Sequence, residues 1–550
     1  MVDTNTPQTV RGWLFDGREI ALVDVRENGH YGDGHPLFAV SVPYSIFEAR
    51  LSELVPNRAV RLVLYDNDDG IAQLAANRAT DLGYVEVSIM AGGAAGWADA
   101  GYTLYVGANV PSKTFGELLE LQHHTPNLTA EQVAGLKDTT PNHVIVDSRP
   151  YSEYSQFNIP GGICCPNGEV ALRIGELVPD PATTIVVNCA GRTRSILGAE
   201  TLRAFGVPNP VYALKNGTQG WLLAELQREE GANRYFAGEP KSNSTLTHLQ
   251  AKVRACADRT GFEYITASDA VDWLADVNRT TFLFDVRSRD EFNANGIDGS
   301  RHVLGGQLVQ ATDEYIGVRG SRVILMDDEM VRAPMMANWI HQLGYEVAVL
   351  DGGVDALRGM QIPETAVFAP TPVAPMELPS ANDPGNDLVH DPGSDLANAT
   401  ILDLRSIMSF RRGHIEGAVW TTRPLLETLN LSSDATVVLV ATDDNIATLA
   451  AQRLSELGVS SVRRLCDDED AWRAIGLEIV ITDDKPLDAE IENLLFYVHQ
   501  RNAPNSSKAA ANAYLNWEIG LVDQLDAEER ESFRLASNHI GTANRTSAGS

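Results

Sequence analysis

One pattern occurs four times along the 550 residues, and this repeat constrains the fold more than any other property of the chain. An apolar run closing on Asp-x-Arg appears at Leu22-Val23-Asp24-Val25-Arg26, Ile145-Val146-Asp147-Ser148-Arg149, Leu283-Phe284-Asp285-Val286-Arg287 and Ile401-Leu402-Asp403-Leu404-Arg405. A second apolar run follows each, at 62–65, 185–188, 323–326 and 437–440. A turn comes third: Gly92-Gly93 before Trp97, Asn216-Gly217 before Trp221, Gly352-Gly353 before Leu357 and Asp467-Asp468 before Trp472. The register is tight, because 42 positions separate Asp24 from Asp66, Asp147 from Cys189 and Asp285 from Asp327, and 38 separate Asp403 from Ala441. Helical patterns at 71–82, 196–205, 334–343 and 446–457 fill the intervals. Short apolar strands alternating with helices predict parallel α/β units, and each repeat, at about 100 residues, can bury its own core. The expected domains are 1–106, 125–232, 262–362 and 386–482, followed by a helical tail at 486–550.

The segments between them read as linkers. Residues 107–127 and 231–261 separate the first three units, the latter with a helix at 247–258, and 363–392 is a Pro-, Ala-, Asn- and Asp-rich tether. In the tail, Ile491, Leu494, Leu495 and Val498, then Tyr514, Trp517, Leu521 and Leu525, recur at helical spacing. That tail is expected to pack on the fourth unit or on a partner chain, with the last dozen residues disordered.

Only the second repeat ends its second strand on a thiol, in Val186-Val187-Asn188-Cys189-Ala190-Gly191-Arg192-Thr193-Arg194-Ser195. A free thiol titrates near ~8.5, and cations, loop amides or a helix N-terminus lower it to roughly 3.5–7.5. The run therefore predicts a cysteine that ionises easily, in a place that can also hold an anion. The equivalent positions elsewhere are Asp66, Asp327 and Ala441. The loops that follow them are acidic (Asp66-Asn67-Asp68-Asp69, Asp327-Asp328-Glu329, Asp443-Asp444), so the cationic surroundings are expected around Cys189 alone.

Charge narrows the partners. With 43 Lys and Arg against 74 Asp and Glu, the net charge of −31 argues against nucleic acid and anionic membranes. No apolar stretch has the length of a membrane helix, and the N-terminus lacks a basic segment followed by an apolar core. Five cysteines, two adjacent, do not make a disulfide framework. The expected location is the cytoplasm.

As a set, the Asp-x-Arg strand ends, the Pro160-Gly161-Gly162 segment, the loop at 189–195 and the Asn216-Gly217 turn with Trp221 resemble the rhodanese family. The resemblance covers most of 9–480, as four tandem rhodanese-like domains. It implies four doubly wound parallel-sheet α/β domains plus the helical tail, with Cys189 catalytic and three silent domains. It also implies that Ala190, Gly191, Arg192, Thr193, Arg194 and Ser195 wrap the sulfur. Arg192 or Arg194 would hold a donor sulfonate by paired hydrogen bonds, or else pair with carboxylates, and Thr193 and Ser195 would donate hydroxyls. A sulfane sulfur would pass from thiosulfate to Cys189 and then to cyanide or a thiol. No metal or organic cofactor belongs to the family pattern. The implied partners are the small anionic donor and its acceptor; the sequence leaves open whether silent domains or tail also form a homo-oligomer. The alternatives are a persulfide carrier or scaffold and a mercaptopyruvate-type transferase, although Cys189-Ala190-Gly191-Arg192 does not match the Cys-Gly-Ser-Gly loop of the latter. Cysteine phosphatases of similar fold need arginine at position 195, where this chain has Ser195.

Weaker features carry plainer readings. Asp147 and Arg149 recur in every repeat, which suits a structural ion pair better than an auxiliary catalytic role. Cys164 and Cys165 either resolve a Cys189 persulfide or are small buried hydrophobes. Cys256 and Cys466 are expected to be packing residues, and Trp97, Trp221 and Trp472 core plugs. His123-His124 has no ligand partner at useful spacing, so no metal site is expected.

Overall fold

The computed structural model describes residues 2–236, 241–363, 372–373, 396, 399–482 and 508–536. Each of the first three repeats forms a five-stranded, all-parallel sheet. In the second repeat the order is Asn127–Leu128, Val211–Leu214, Thr184–Asn188, His143–Asp147 and Ile163–Cys164. Among the described residues the main sheet of the fourth repeat has four parallel strands, Val419–Trp420, Thr400–Asp403, Thr436–Ala441 and Ser461–Cys466, and His414–Ile415 pairs antiparallel with Ile479–Val480 beside it. Strands this apolar, such as the fully buried Thr184–Asn188, suit a sheet covered on both faces. One layer of the second core joins Val146, Val187 and Leu202, and the other joins Ile145, Val186 and Trp221.

The Asp-x-Arg signature is one device used four times. Asp24–Arg26, Asp147–Arg149, Asp285–Arg287 and Asp403–Arg405 form ion pairs of 2.5, 2.8, 2.6 and 2.7 Å, all buried. In each, the aspartate also accepts the arginine's own amide N–H, which turns the chain out of the strand. Trp97, Trp221 and Trp472 are buried, each anchoring its indole N–H on a backbone carbonyl. Cys256 is buried, whereas Cys466 is exposed, because it ends an edge strand whose residues are mostly solvent-facing.

Two expectations about linkers need correcting. Residues 107–127 are not an open connector: Val110–His123 is a buried helix with Pro111 in its first turn. The expected helix at 247–258 is longer, Asn243–Thr260. Most of the tether at 363–392, the apolar positions 491–498 and the last dozen residues lie outside the described residues.

The chain divides into two compact units. One comprises Met1–Gly12, Ala21–Ala108 and Thr365–His499, and so pairs the first repeat with the fourth. There, Arg423 clamps Glu48 through contacts of 2.6 and 2.8 Å, and its amide donates to Ser45. The other comprises Trp13–Ile20, Asn109–Glu364 and Gln500–Ser550, and pairs the second repeat with the third. Arg332 reaches Glu169 at 2.9 Å, Trp339 donates to Thr201, and Gly168 packs so closely on Gly306 that a Cβ on Gly168 would lie 2.9 Å from the Gly306 nitrogen. The tail helix Lys508–Ile519 belongs to this second unit, not to the fourth repeat as one expectation had it. Its buried Ala511, Tyr514 and Leu515 pack it against Gly217–Leu223 and Val110–His123. Among the described residues no helix is long and apolar enough to cross a membrane.

Candidate active site

Cys189 follows the last residue of Thr184–Asn188, the middle strand of its sheet, and its side chain is buried at 1% exposure. The helix after it begins at Thr193, three positions before the expected start, so Arg194 and Ser195 lie in its first turn. The loop carbonyls are held from the opposite side: Thr218 N–H donates to Cys189 O (2.9 Å) and Gln219 N–H to Ala190 O (3.1 Å). Both donors open the helix Gly217–Leu223. Gly217 has φ +52°, and a Cβ there would stand 2.3 Å from Cys189 O. Only glycine lets this turn buttress the cysteine loop.

The first and third repeats, which carry aspartate in place of the thiol, show what the loop amides do. In the first, Asp66 accepts the N–H groups of Asp68, Gly70 and Ala72 at 2.8–3.1 Å. In the third, Asp327 accepts those of Val331, Arg332 and Ala333 at 3.1–3.2 Å. Amides four and six positions on thus converge on the cysteine-equivalent side chain as an anion nest. In the second repeat these positions are Thr193 and Ser195, and the Ser195 amide and hydroxyl favour the Cys189 thiolate.

They do not prevail. Burial pushes the Cys189 thiol up, outweighing Arg194 and Ser195, and the Glu518 carboxylate adds to the rise. A thiol that ionises easily was the expectation; the enclosed position reverses it, because desolvation penalises the charged form.

Both arginines are held by carboxylates. Arg192 turns to the helix Val110–His123, meeting Glu117 at 2.6 and 2.8 Å and also Glu120, and donates to Asn216 (3.0 Å). Burial pushes the Glu117 carboxyl up to about 7, with Arg192 opposing and Glu518 and Glu120 reinforcing. Arg194 grips Glu153 through two bonds of 2.7 and 2.8 Å, and its charge still reaches Cys189. The cationic setting is also not confined to Cys189. Arg332 stands five positions after Asp327, as Arg194 does after Cys189, and grips Glu291 through two 2.8 Å bonds while lying 3.7 Å from Asp327. Reading the acidic stretch 327–329 alone stops short of it. The arginine–glutamate clamp is therefore framework shared by the thiol-bearing loop and a loop without a thiol.

Of the other expected residues, Asp147 and Arg149 form the buried pair described above, and Arg149 also donates to Phe157 O (2.6 Å). Cys164 ends the strand Ile163–Cys164, and His143–Asp147 lies between it and the strand that leads to Cys189. Two strand spacings are about 10 Å, beyond the ~7 Å that a disulfide tolerates. Burial also pushes both the Cys164 and Cys165 thiols up. His123 bonds Glu200 (3.0 Å) and the Ala536 carbonyl (3.1 Å).

Sequence reasoning missed the carboxylates and the cover. Glu153 was legible: it stands six positions after Asp147, as Glu291 does after Asp285. Tyr514 and Glu518, which lie over Gly191 and Thr193, have no local signal.

The profile of the Rhodanese-like domain matches residues 6–100, 129–224, 266–359 and 387–474. The chain is similar to the crystal structure of thiosulfate sulfurtransferase from Pseudomonas aeruginosa, at 37% identity and TM-score 0.84, over 97% of this chain and 99% of that one. It is also 37% identical, over 89 residues, to an HTH-type transcriptional regulator of Mycobacterium tuberculosis. That match spans 16% of this chain and only 38% of the regulator's length. With four profile matches over four parallel sheets, and a likeness that runs nearly end to end, the chain belongs to the rhodanese-like family.

Proposed function

We propose that this chain is a thiosulfate-type sulfurtransferase in which Cys189 carries the sulfur. The observation that carries the reading is the exchange of a carboxylate for a thiol at one point of a repeated loop. Asp66 and Asp327 fill the nest in the first and third repeats, whereas Cys189 brings a nucleophile to it. The resemblance to the Pseudomonas aeruginosa thiosulfate sulfurtransferase supports the same reading.

In the proposed cycle, the Cys189 thiolate attacks the outer sulfur of thiosulfate. The Cys189 S–S bond forms, the bond to the sulfonate sulfur breaks, and sulfite leaves with the electron pair. Cyanide or a thiolate then attacks the terminal sulfur of the persulfide, and Cys189 departs as thiolate. The loop from Ala190 to Ser195 surrounds the sulfur, with the Ser195 N–H and hydroxyl favouring negative charge on it. Arg194 contributes its field while Glu153 fixes its position. Arg192 positions the loop against Glu117 rather than touching the donor. Asp66, Asp327 and Ala441 cannot form a persulfide, so the other repeats act as scaffold. Five free cysteines are consistent with a cytoplasmic setting.

The test is thiocyanate formation from thiosulfate and cyanide, with mass spectrometry of the 189-containing peptide after thiosulfate alone. The expected result is a persulfide on Cys189 and a Cys189→Ser variant at the uncatalysed background. Thiocyanate formation that survives this substitution would refute the assignment.

A further inference from the structure

We propose that Glu518, from the C-terminal helix, occupies the seat of the donor's oxyanion, so that a sulfur donor must displace this carboxylate to reach Cys189; this rests on the sulfurtransferase reading. Glu518 is thereby a specificity-determining residue contributed from 325 positions beyond the cysteine loop.

The repeats define the seat. The amide four positions after the cysteine-equivalent residue donates to a carboxylate wherever that residue is aspartate: Gly70 to Asp66 at 3.1 Å and Val331 to Asp327 at 3.2 Å. In the active-type loop the corresponding residue is Thr193. Its N–H and Oγ1 both donate to Glu518 Oε1, at 3.4 and 2.6 Å. A carboxylate oxygen therefore occupies this seat in all three loops, built in twice and delivered from afar once. A sulfonate or carboxylate next to a sulfane sulfur presents the same acceptor oxygens.

The delivery is tightly fitted. Gly191 admits the helix: a Cβ there would meet the Tyr514 ring at 2.9 Å and Glu518 Oε2 at 3.0 Å. Lys113, on the helix Val110–His123, donates to the Tyr514 hydroxyl (2.8 Å), lies 3.9 Å from Glu518 Oε1 and sits over the rings of Tyr514 and Trp517. Glu117 and Arg192 complete the charged surroundings of Glu518, beside Cys189 itself. Because the Glu518 side chain is 1% exposed, a second anion cannot share the seat and must replace it.

The experiment follows alkylation of Cys189 in the full-length chain by peptide mass spectrometry, which separates it from the exposed Cys466. The probes are iodoacetamide, which is neutral, and iodoacetate, which carries a carboxylate. In Glu518→Gln the iodoacetate rate is expected to rise by about tenfold more than the iodoacetamide rate, since a like charge within a few ångströms is removed. Glu518→Asp, which keeps the charge, is expected to retain the wild-type preference. Equal changes for both probes in Glu518→Gln, or the same gain in Glu518→Asp, would overturn the proposal. The assay needs no turnover: the expected iodoacetate gain without thiocyanate formation would remove the sulfurtransferase reading and leave the seat standing.

Discussion

At Cys189 a nucleophile is paired with concealment. Its raised thiol pKa means that the thiolate fraction at neutral pH is smaller than that of a free cysteine. Alkylation by iodoacetamide should therefore keep rising with pH, with its inflection above the ~8.5 of a free thiol. An inflection between roughly 3.5 and 7.5, the range of activated cysteines, would contradict the burial argument. The sequence made the thiol legible because its strand, loop and helix are contiguous. It could not show how the thiol is enclosed, because Glu117 and Glu518 lie 75 residues from Arg192 and 325 from Thr193. The positive charge counted along the loop is offset by carboxylates that only folding brings to it.

Among the elements, the turn before the helix Gly217–Leu223 matters most for the site. Gly217→Ala would drive a methyl group into Cys189 O at 2.3 Å from a residue with φ +52°, so this substitution should abolish thiocyanate formation and lower thermal stability. Gly175→Ala is the control. It is an exposed helical glycine with open space at its Cβ, and the substitution should leave activity intact while adding up to about 1 kcal/mol in denaturant unfolding. The same turn recurs in the first and third repeats, where a Cβ on Gly93 or Gly353 would lie 2.2 or 2.4 Å from Asp66 O or Asp327 O. Strands and helices inside the repeats were readable because their periodicity is local. The helix Val110–His123 was not, since Asn109, Pro111 and Gly116 mimic a linker. Pro111 falls at a helix start, where its missing N–H costs nothing, and Gly116 lies where a Cβ would come within 2.9 Å of Thr193.

At the scale of the molecule, the repeats pair as first with fourth and second with third. The contacts use equivalent places: Ser45 and Gly168 stand 21 residues after Asp24 and Asp147, and Gly306 stands 21 after Asp285. In the first pair, Glu48→Gln leaves the buried Arg423 without its countercharge. It should destabilise that unit by about 3–5 kcal/mol, read as an earlier unfolding transition in denaturant. Alkylation of Cys189, in the other unit, should not change. A coupled change in both would show that the units do not behave independently. The order of pairing also carries a consequence for biosynthesis. Glu48 leaves the ribosome 375 residues ahead of Arg423, a wait of roughly 20–75 s at ordinary translation speeds. Throughout that interval the nascent first repeat carries its half of the contact, Ser45 and Glu48, with no fourth repeat to meet it.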